Sequence, residues 1–244
     1  LLKERKQIVI NDAVTKGLDK NVEFVDSGVE WIGEIPKHWE VKKLKYIFNF
    51  NKGLTITKEN LQEEGIFCVN YGEIHSKYGF EVNPRINYLK CVNESYLQNN
   101  KNSLLDNGDF IFADTSEDIE GSGNFTYLNS DLQTFAGYHT IICRPKNDIF
   151  SRFFAYEFES LTFRNQIRSK VKGVKVYSIT QGLLKDLTIW LPPKDEQLKI
   201  VEYIETQTTK IDIAIELQQN YISKLGEYKA SLIDSVVTGK VRVG

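Results

Sequence analysis

From Pro192-Pro193 to Thr238 the chain holds no further proline and one glycine, Gly226. Proline is tolerated in the first turn of a helix, where its missing N–H has no partner to lose, so the pair marks a helix start. Asp195 and Glu196 then place negative charge at the positive end of the helix dipole. Val201, Ile204, Ile211, Ile215, Ile222, Leu225, Leu232 and Val236 follow alternating steps of three and four residues once Thr208, Gln218 and Lys229 fill the gaps. That is the 3.5-residue repeat of a coiled-coil seam. At 1.5 Å per residue, about 45 helical residues give a rod of roughly 65–70 Å. A helix lying on its own domain uses only part of such a stripe, so the spacing predicts pairing with another helix.

The end of this segment occurs twice. Residues 2–16 read LKERKQIVINDAVTK and residues 225–239 read LGEYKASLIDSVVTG. Leu2/Leu225, Glu4/Glu227, Lys6/Lys229, Ile10/Ile233, Val14/Val237 and Thr15/Thr238 are identical, and Asn11 faces Asp234. Apolar positions 2, 9, 10, 13 and 14 form one helical face, and Gly17 and Gly239 stand as stop signals. One helix-ending element thus flanks a globular unit on both sides. With no methionine and Leu1 at its start, the chain reads as part of a longer product.

Between the copies the pattern changes. Residues 18–40 hold Trp31-Ile-Gly-Glu-Ile-Pro-Lys-His-Trp39, where Gly33 and Pro36 oppose a continuous helix. An extended segment is expected, its two Trp rings packed on the body. Short β-like runs follow at Lys43–Phe50, Ile66–Tyr71, Phe110–Ala113, Gly137–Arg144 and Leu187–Leu191, and one helix is expected over Ser151–Lys170. The fold class is α+β, a globular mixed domain followed by a long coiled-coil-forming helix.

Lys and Arg number 31 against 33 Asp and Glu, a formal charge of −2, so no overall basic excess points to nucleic acid. The three cysteines, Cys68, Cys91 and Cys143, lie far apart without a CxxC, which argues against a disulfide framework or structural zinc. No apolar run approaches the length of a membrane span, and the chain reads as cytoplasmic, without a membrane partner.

Local charge is more telling. Residues 161–177 contain Arg164, Arg168, Lys170, Lys172 and Lys175 and no carboxylate. This strip can anchor phosphates, with Gly173 allowing close backbone approach and Tyr177 and Ser178 donating hydrogen bonds. Bases are read by side chains that match their edges. Loop candidates are Lys52, Thr55, Lys58, Asn70, Tyr71, His75, Lys77, Tyr78, Arg85, Tyr138 and His139.

Residues 103–131 hold Asp106, Asp109, Asp114, Glu117, Asp118, Glu120 and Asp131 without a Lys or Arg. A Mg²⁺-dependent nuclease could use such carboxylates, but no catalytic Lys follows at ExK spacing. His38, His75 and His139 join no diagnostic nucleophile motif, and there is no GxxxxGK[ST] loop. The reading is therefore no metal site, no catalytic residue and no cofactor in this chain. A coiled-coil interaction protein without DNA affinity remains the other alternative.

The strings Trp31–Trp39, with Val41 and Leu44, and Leu191-Pro-Pro-Lys-Asp-Glu-Gln-Leu-Lys-Ile-Val201 resemble the two flanks of a target-recognition region in specificity (S) subunits of type I restriction-modification enzymes. Asn107–Phe112 and Tyr177–Thr180 fall where that family has similar stretches. The resemblance implies a division into the end of a preceding spacer helix (1–17), a DNA target-recognition domain (18–191) and a second spacer helix (192–244). It further implies double-stranded DNA as ligand, one half of a bipartite target being read here. The helices would set the distance between recognition domains and dock methyltransferase subunits. S-adenosylmethionine, ATP and Mg²⁺ would belong to methyltransferase and restriction/translocase partners. Self-pairing through the long helix is a further expectation.

Overall fold

The computed structural model describes residues 1–147, 149–173 and 175–240, so the last four residues of the 192–244 segment lie outside the described residues. A first helix, Leu2–Lys16, leads into an α+β body, and a single helix from Lys194 to Val237 leaves it. Its 44 residues make a rod of about 66 Å. No described helix is long and apolar enough to cross a membrane.

The body is built on two sheets. One has the spatial order Phe48–Lys52, Thr140–Pro145, Phe110–Ala113, Phe125–Leu128, Glu81–Val82. The other runs Lys90–Val92, Ile66–Val69, Thr134–Ala136, Leu104–Leu105. Phe110–Ala113 is central and buried at every residue, as expected of an uninterrupted apolar run covered on both faces. The rings of Phe48, Phe110, Phe112 and Phe125 meet Phe158 from the helix Ser151–Glu159 at centroid distances of 4.9 to 5.8 Å. Such edge and tilted contacts add to the burial of large apolar rings.

Three sequence expectations change on contact with the fold. The run Lys43–Phe50 is not one strand: Glu40–Lys43 pairs with Thr188–Leu191, and Leu44–Ile47 forms a helical turn before the next strand begins. The Leu44 N–H donates to the Leu187 carbonyl at 2.9 Å, which holds the turn against the body. The helix expected over 151–170 is two helices, Ser151–Glu159 and Leu161–Arg168. Ser160 is extended between them, and its hydroxyl accepts from the Phe163 N–H, an N-cap that restarts the helix in a new direction. Finally, Trp39 is buried as expected, but Trp31 stays 45% exposed.

The first helix seats on the body and on the long helix together. Ile10, Ala13, Val14 and Thr15 are buried there. Lys6 pairs with Asp212 at 2.7 Å, and Gly17 lies against Trp39 and Glu196, so the two helices run antiparallel. Trp190, wholly buried, donates its indole N–H to the Val14 carbonyl, one of the helix's terminal acceptors. Asn11 accepts from both the N–H and the hydroxyl of Thr162, at 3.0 and 2.9 Å.

The long seam is thereby divided. Val201, Ile204 and Ile211 are buried, covered by the first helix and by Ser151–Glu159. Ile215 and Val236 are half-buried, while Ile222, Leu225 and Leu232 are exposed. The seam expected to pair with another helix does so in its first half with Leu2–Lys16 of the same chain, and there it also joins the core of the body.

One buried acid has a measurable consequence. Glu157 is wholly buried, accepts from the Trp190 N–H at 2.9 Å, and has no partner for its second oxygen among the described residues. Burial pushes its carboxyl well above the usual range. It is therefore protonated in the fold while the unfolded chain ionises above its ordinary value of 4.5. Stability falls as pH rises from there towards the folded value, by up to about 1.4 kcal/mol per pH unit. Glu157→Gln is expected to flatten the pH dependence of the melting temperature between pH 5 and 8, the variant gaining on the parent as pH rises. Parallel slopes in thermal melts across that range would show that Glu157 is not the group responsible.

Candidate nucleic-acid interface

Two neighbouring cavities, of about 810 and 580 Å³, share His139 in their walls. The larger is lined by Tyr71, His75, Thr115, Ser116, Asp118 and Asn124 among others. The smaller includes Lys52, Thr55, Tyr138 and Thr180. The aromatic rings form a cluster: Tyr71 meets His139, Tyr138 and His75 at 5.3, 5.5 and 6.2 Å between centroids.

Local backbone chemistry puts them there. Tyr71 and His75 lie one turn apart on the helix Tyr71–Ser76. Tyr138 and His139 occupy the turn between Thr134–Ala136 and Thr140–Pro145. His139 sits at φ 55°, the sole described non-glycine residue with positive φ, a conformation that a β-carbon disfavours. Its Nδ1 lies 3.1 Å from Asp114 Oδ1, which holds the strained turn. Gly137 must be glycine, because a β-carbon there would lie 1.8 Å from Asn70 Oδ1.

His75 is fixed by a relay of polar contacts. Its Nε2–H donates to the Thr115 carbonyl at 2.8 Å, which leaves Nδ1 to accept from the Asn124 amide at 2.9 Å. Asn124 Oδ1 accepts from Arg164 at 2.7 Å, and Arg164 pairs with Glu159 at 2.8 Å. Asn124 and Thr115 escaped notice in the sequence, where neither belongs to a charged run or motif.

The basic strip divides. Arg164 is largely buried in that relay, and Arg168 donates to the Glu120 carbonyl at 2.7 Å, tying down the acidic loop. Arg164 is thereby withdrawn from the phosphate-facing row in which its spacing placed it, whereas Arg168 stays partly exposed. Lys170, Lys172 and Lys175 are exposed. Gly173 serves the chain itself: a β-carbon there would lie 2.2 Å from the Val176 carbonyl, a closeness that needs no phosphate to explain it. Tyr177 and Ser178 pair with Ser116 and Thr115, so the end of the cationic loop is stitched directly to the cavity wall.

Other candidates leave the surface. Asn70 is fully buried at the start of the helix Tyr71–Ser76. Tyr78 is buried too, its hydroxyl donating to the Tyr88 carbonyl, and burial raises its pKa. Neither can meet a base without unfolding its surroundings. Lys58, Lys77 and Arg85 are exposed but line neither cavity.

The carboxylates of 103–131 divide: Glu117, Asp118 and Glu120 line the wall of the larger cavity, while the others are held elsewhere. Asp109 is buried against Arg144 at 2.6 Å, Asp106 also meets Arg144, and Asp114 faces His139. Among the described residues no three His, Cys, Asp or Glu side chains form a group able to hold a metal ion. Nothing in this arrangement favours the nuclease alternative.

Comparison with known proteins agrees with the fold. The chain is 25% identical over its full length to a type I restriction enzyme specificity subunit, MjaVIII, of Methanocaldococcus jannaschii, covering 55% of that protein. It is 22% identical over 86% of its length to the EcoKI specificity subunit of Escherichia coli, covering 44% of it. It thus spans about half the length of these curated relatives. Among solved structures, a chain from work on assembly and conformational transition of a type I R-M system superposes with a TM-score of 0.69 at 15% identity, over 96% of this chain and 51% of that one. The HsdS subunit of Thermoanaerobacter tengcongensis gives 0.62 at 14%, over 96% and 50%. Residues 36–220 match the family described as Type I restriction modification DNA specificity domain, and the chain belongs to that family of DNA specificity subunits.

Proposed function

We propose that this chain reads one half of a bipartite DNA target and has no active site of its own. What supports this reading is one juxtaposition: a cavity lined by Tyr71, His75 and His139, and also by Glu117, Asp118 and Glu120, continues through the strand pair Thr115–Ser116/Tyr177–Ser178 towards the exposed Lys170, Lys172 and Lys175. The lysines neutralise phosphates and fix register, while the His139 imidazole and the phenol and hydroxyl groups offer donors and acceptors to base edges. Lys52, Thr55 and Tyr138 extend the reading surface from the neighbouring cavity. The long helix positions methyltransferase subunits, which supply S-adenosylmethionine chemistry. Restriction/translocase subunits supply ATP and Mg²⁺ chemistry.

The test is methylation profiling of a host carrying the chain, in its full-length context, with its methyltransferase partner. A defined methylated motif is expected. Tyr71→Ala or His139→Ala should change that motif, or lower affinity for the target by about 1–3 kcal/mol, while leaving binding to unrelated duplex nearly intact. A motif and affinity identical to the parent in both variants would remove these cavities from base reading.

A further inference from the structure

Residues 176–182 run along both cavities: Val176 lines the larger, and Ile179, Thr180, Gln181 and Gly182 line the smaller. Before them in the chain stand Lys170, Lys172 and Lys175, and after them comes a second group of lysines. The short helix Gln181–Lys185 ends with Lys185, whose ammonium lies over the Phe50 ring, 5.8 Å from its centroid. Phe50 and Lys52 are two apart on the strand Phe48–Lys52 and so share one of its faces. Lys52 stands in the wall of the smaller cavity. The row thus starts at the cavity and leads away from it to the helical turn Leu44–Ile47. There Lys146 Nζ donates to the Lys45 carbonyl at 2.6 Å, and Lys43 and Lys45 share one carboxylate, Asp186, at 3.7 and 3.5 Å.

These lysines outnumber their counter-charges. Among the described residues Asp186 is the one carboxylate paired with any of Lys43, Lys45, Lys146 and Lys185, and the first two hold it below the usual carboxylate range. Lys43, Lys146 and Lys185 are exposed and Lys45 is half-exposed. Like charges gathered on one surface repel each other, and a polyanion bound there relieves the repulsion. A duplex groove offers such a polyanion twice, because a phosphate backbone borders it on each side, about 12 Å apart in the major groove. Lysines at one edge of a reading surface hold one strand only. Residues 176–180, largely extended, span roughly 13 Å between the two lysine groups, close to that width.

Building on the DNA reading above, we propose that Lys45, Lys146 and Lys185, with Lys43 beside them, grip the phosphates of the strand opposite the one held by Lys170, Lys172 and Lys175. The cavities then face the base edges between two cationic borders. Because both borders act on one duplex at once, their contributions to its salt dependence add.

The test uses the chain in its full-length context, with its methyltransferase partner, and a duplex carrying the methylated motif. Lys45→Ala/Lys146→Ala/Lys185→Ala should melt like the parent or slightly higher, yet bind the duplex about tenfold or more weakly at low salt. Its plot of log affinity against log salt should be shallower by about 2.7, and by about 5.4 when Lys170, Lys172 and Lys175 are also alanine. Arginine at the same three positions should restore the slope. Duplexes with uncharged methylphosphonate links in one strand of this half-site tell the strands apart. The parent should lose affinity for either substitution, and each triple variant for one only, not the same one. The proposal fails if the Lys45/Lys146/Lys185 variant keeps the parent's slope, and equally if both variants become indifferent to the same strand. Lost association with the methyltransferase at an unchanged slope would assign the surface to an acidic protein face instead. A parent without salt-dependent duplex binding would sink the DNA reading itself, and this second border with it.

Discussion

Trp190→Ala is expected to lower stability by about 3–5 kcal/mol, the usual cost of emptying a buried aromatic site. For a domain of this size that is a fall in melting temperature on the order of 10–15 °C. The effect should exceed that of other core truncations, because this side chain does two things. Its ring fills a fully buried place in the core, and its N–H satisfies the Val14 carbonyl at the end of the first helix. Trp190→Phe separates the two: most of the ring volume stays, the donor is lost, and about 1–3 kcal/mol should follow from the unpaired carbonyl. Hydrogen exchange should then show the first helix opening well before the sheets, whereas Trp190→Ala loosens both. Equal protection of that helix in parent and Trp190→Phe would mean that the bond to Val14 contributes nothing to its seating.

The second large effect concerns charge. Replacing Lys170, Lys172 and Lys175 together by alanine should weaken duplex binding roughly 50- to 100-fold at low salt, and equally for target and unrelated DNA. The dependence of log affinity on log salt should become shallower by about 2.7, near 0.9 for each phosphate released. Arg168→Ala should behave differently. Its guanidinium holds the Glu120 carbonyl, so its loss should act through the shape of the acidic loop, with little change in salt slope. Binding isotherms at several salt concentrations separate the two outcomes. A triple variant with the parent's slope would exclude the loop from phosphate contact.

Much of the architecture could be read directly from residue spacing. The long helix is signalled by Pro192-Pro193 and an unbroken 3.5-residue pattern, and the central strand by Phe110–Ala113. Periodicity failed where two signals overlapped. Apolar residues keep helical spacing straight across Ser160, so the break there is visible only through its capping hydroxyl, and a serine in a helical stretch is common. Charge proved least legible. Arg164 and Lys172 look alike in a cationic run, yet one is consumed by Glu159 and Asn124, residues 5 and 40 positions away, while the other is free at the surface. Asn70 and Tyr78 stood among polar loop residues for the same reason. Whether a polar side chain faces water or a backbone partner depends on tertiary neighbours that spacing does not encode.

Gly17 rests against Trp39 and Glu196, and His38 reaches the same carboxylate at 2.8 Å, so the peptide comes into the body and departs from it at one corner. A body attached this way is topologically an insert in a helical hairpin. Remodelling the far side of that body leaves the two helical stems nearly where they were. Selection can therefore remodel what is recognised without re-solving how the stems meet, provided that the surfaces under Ile10 and Val14 are kept.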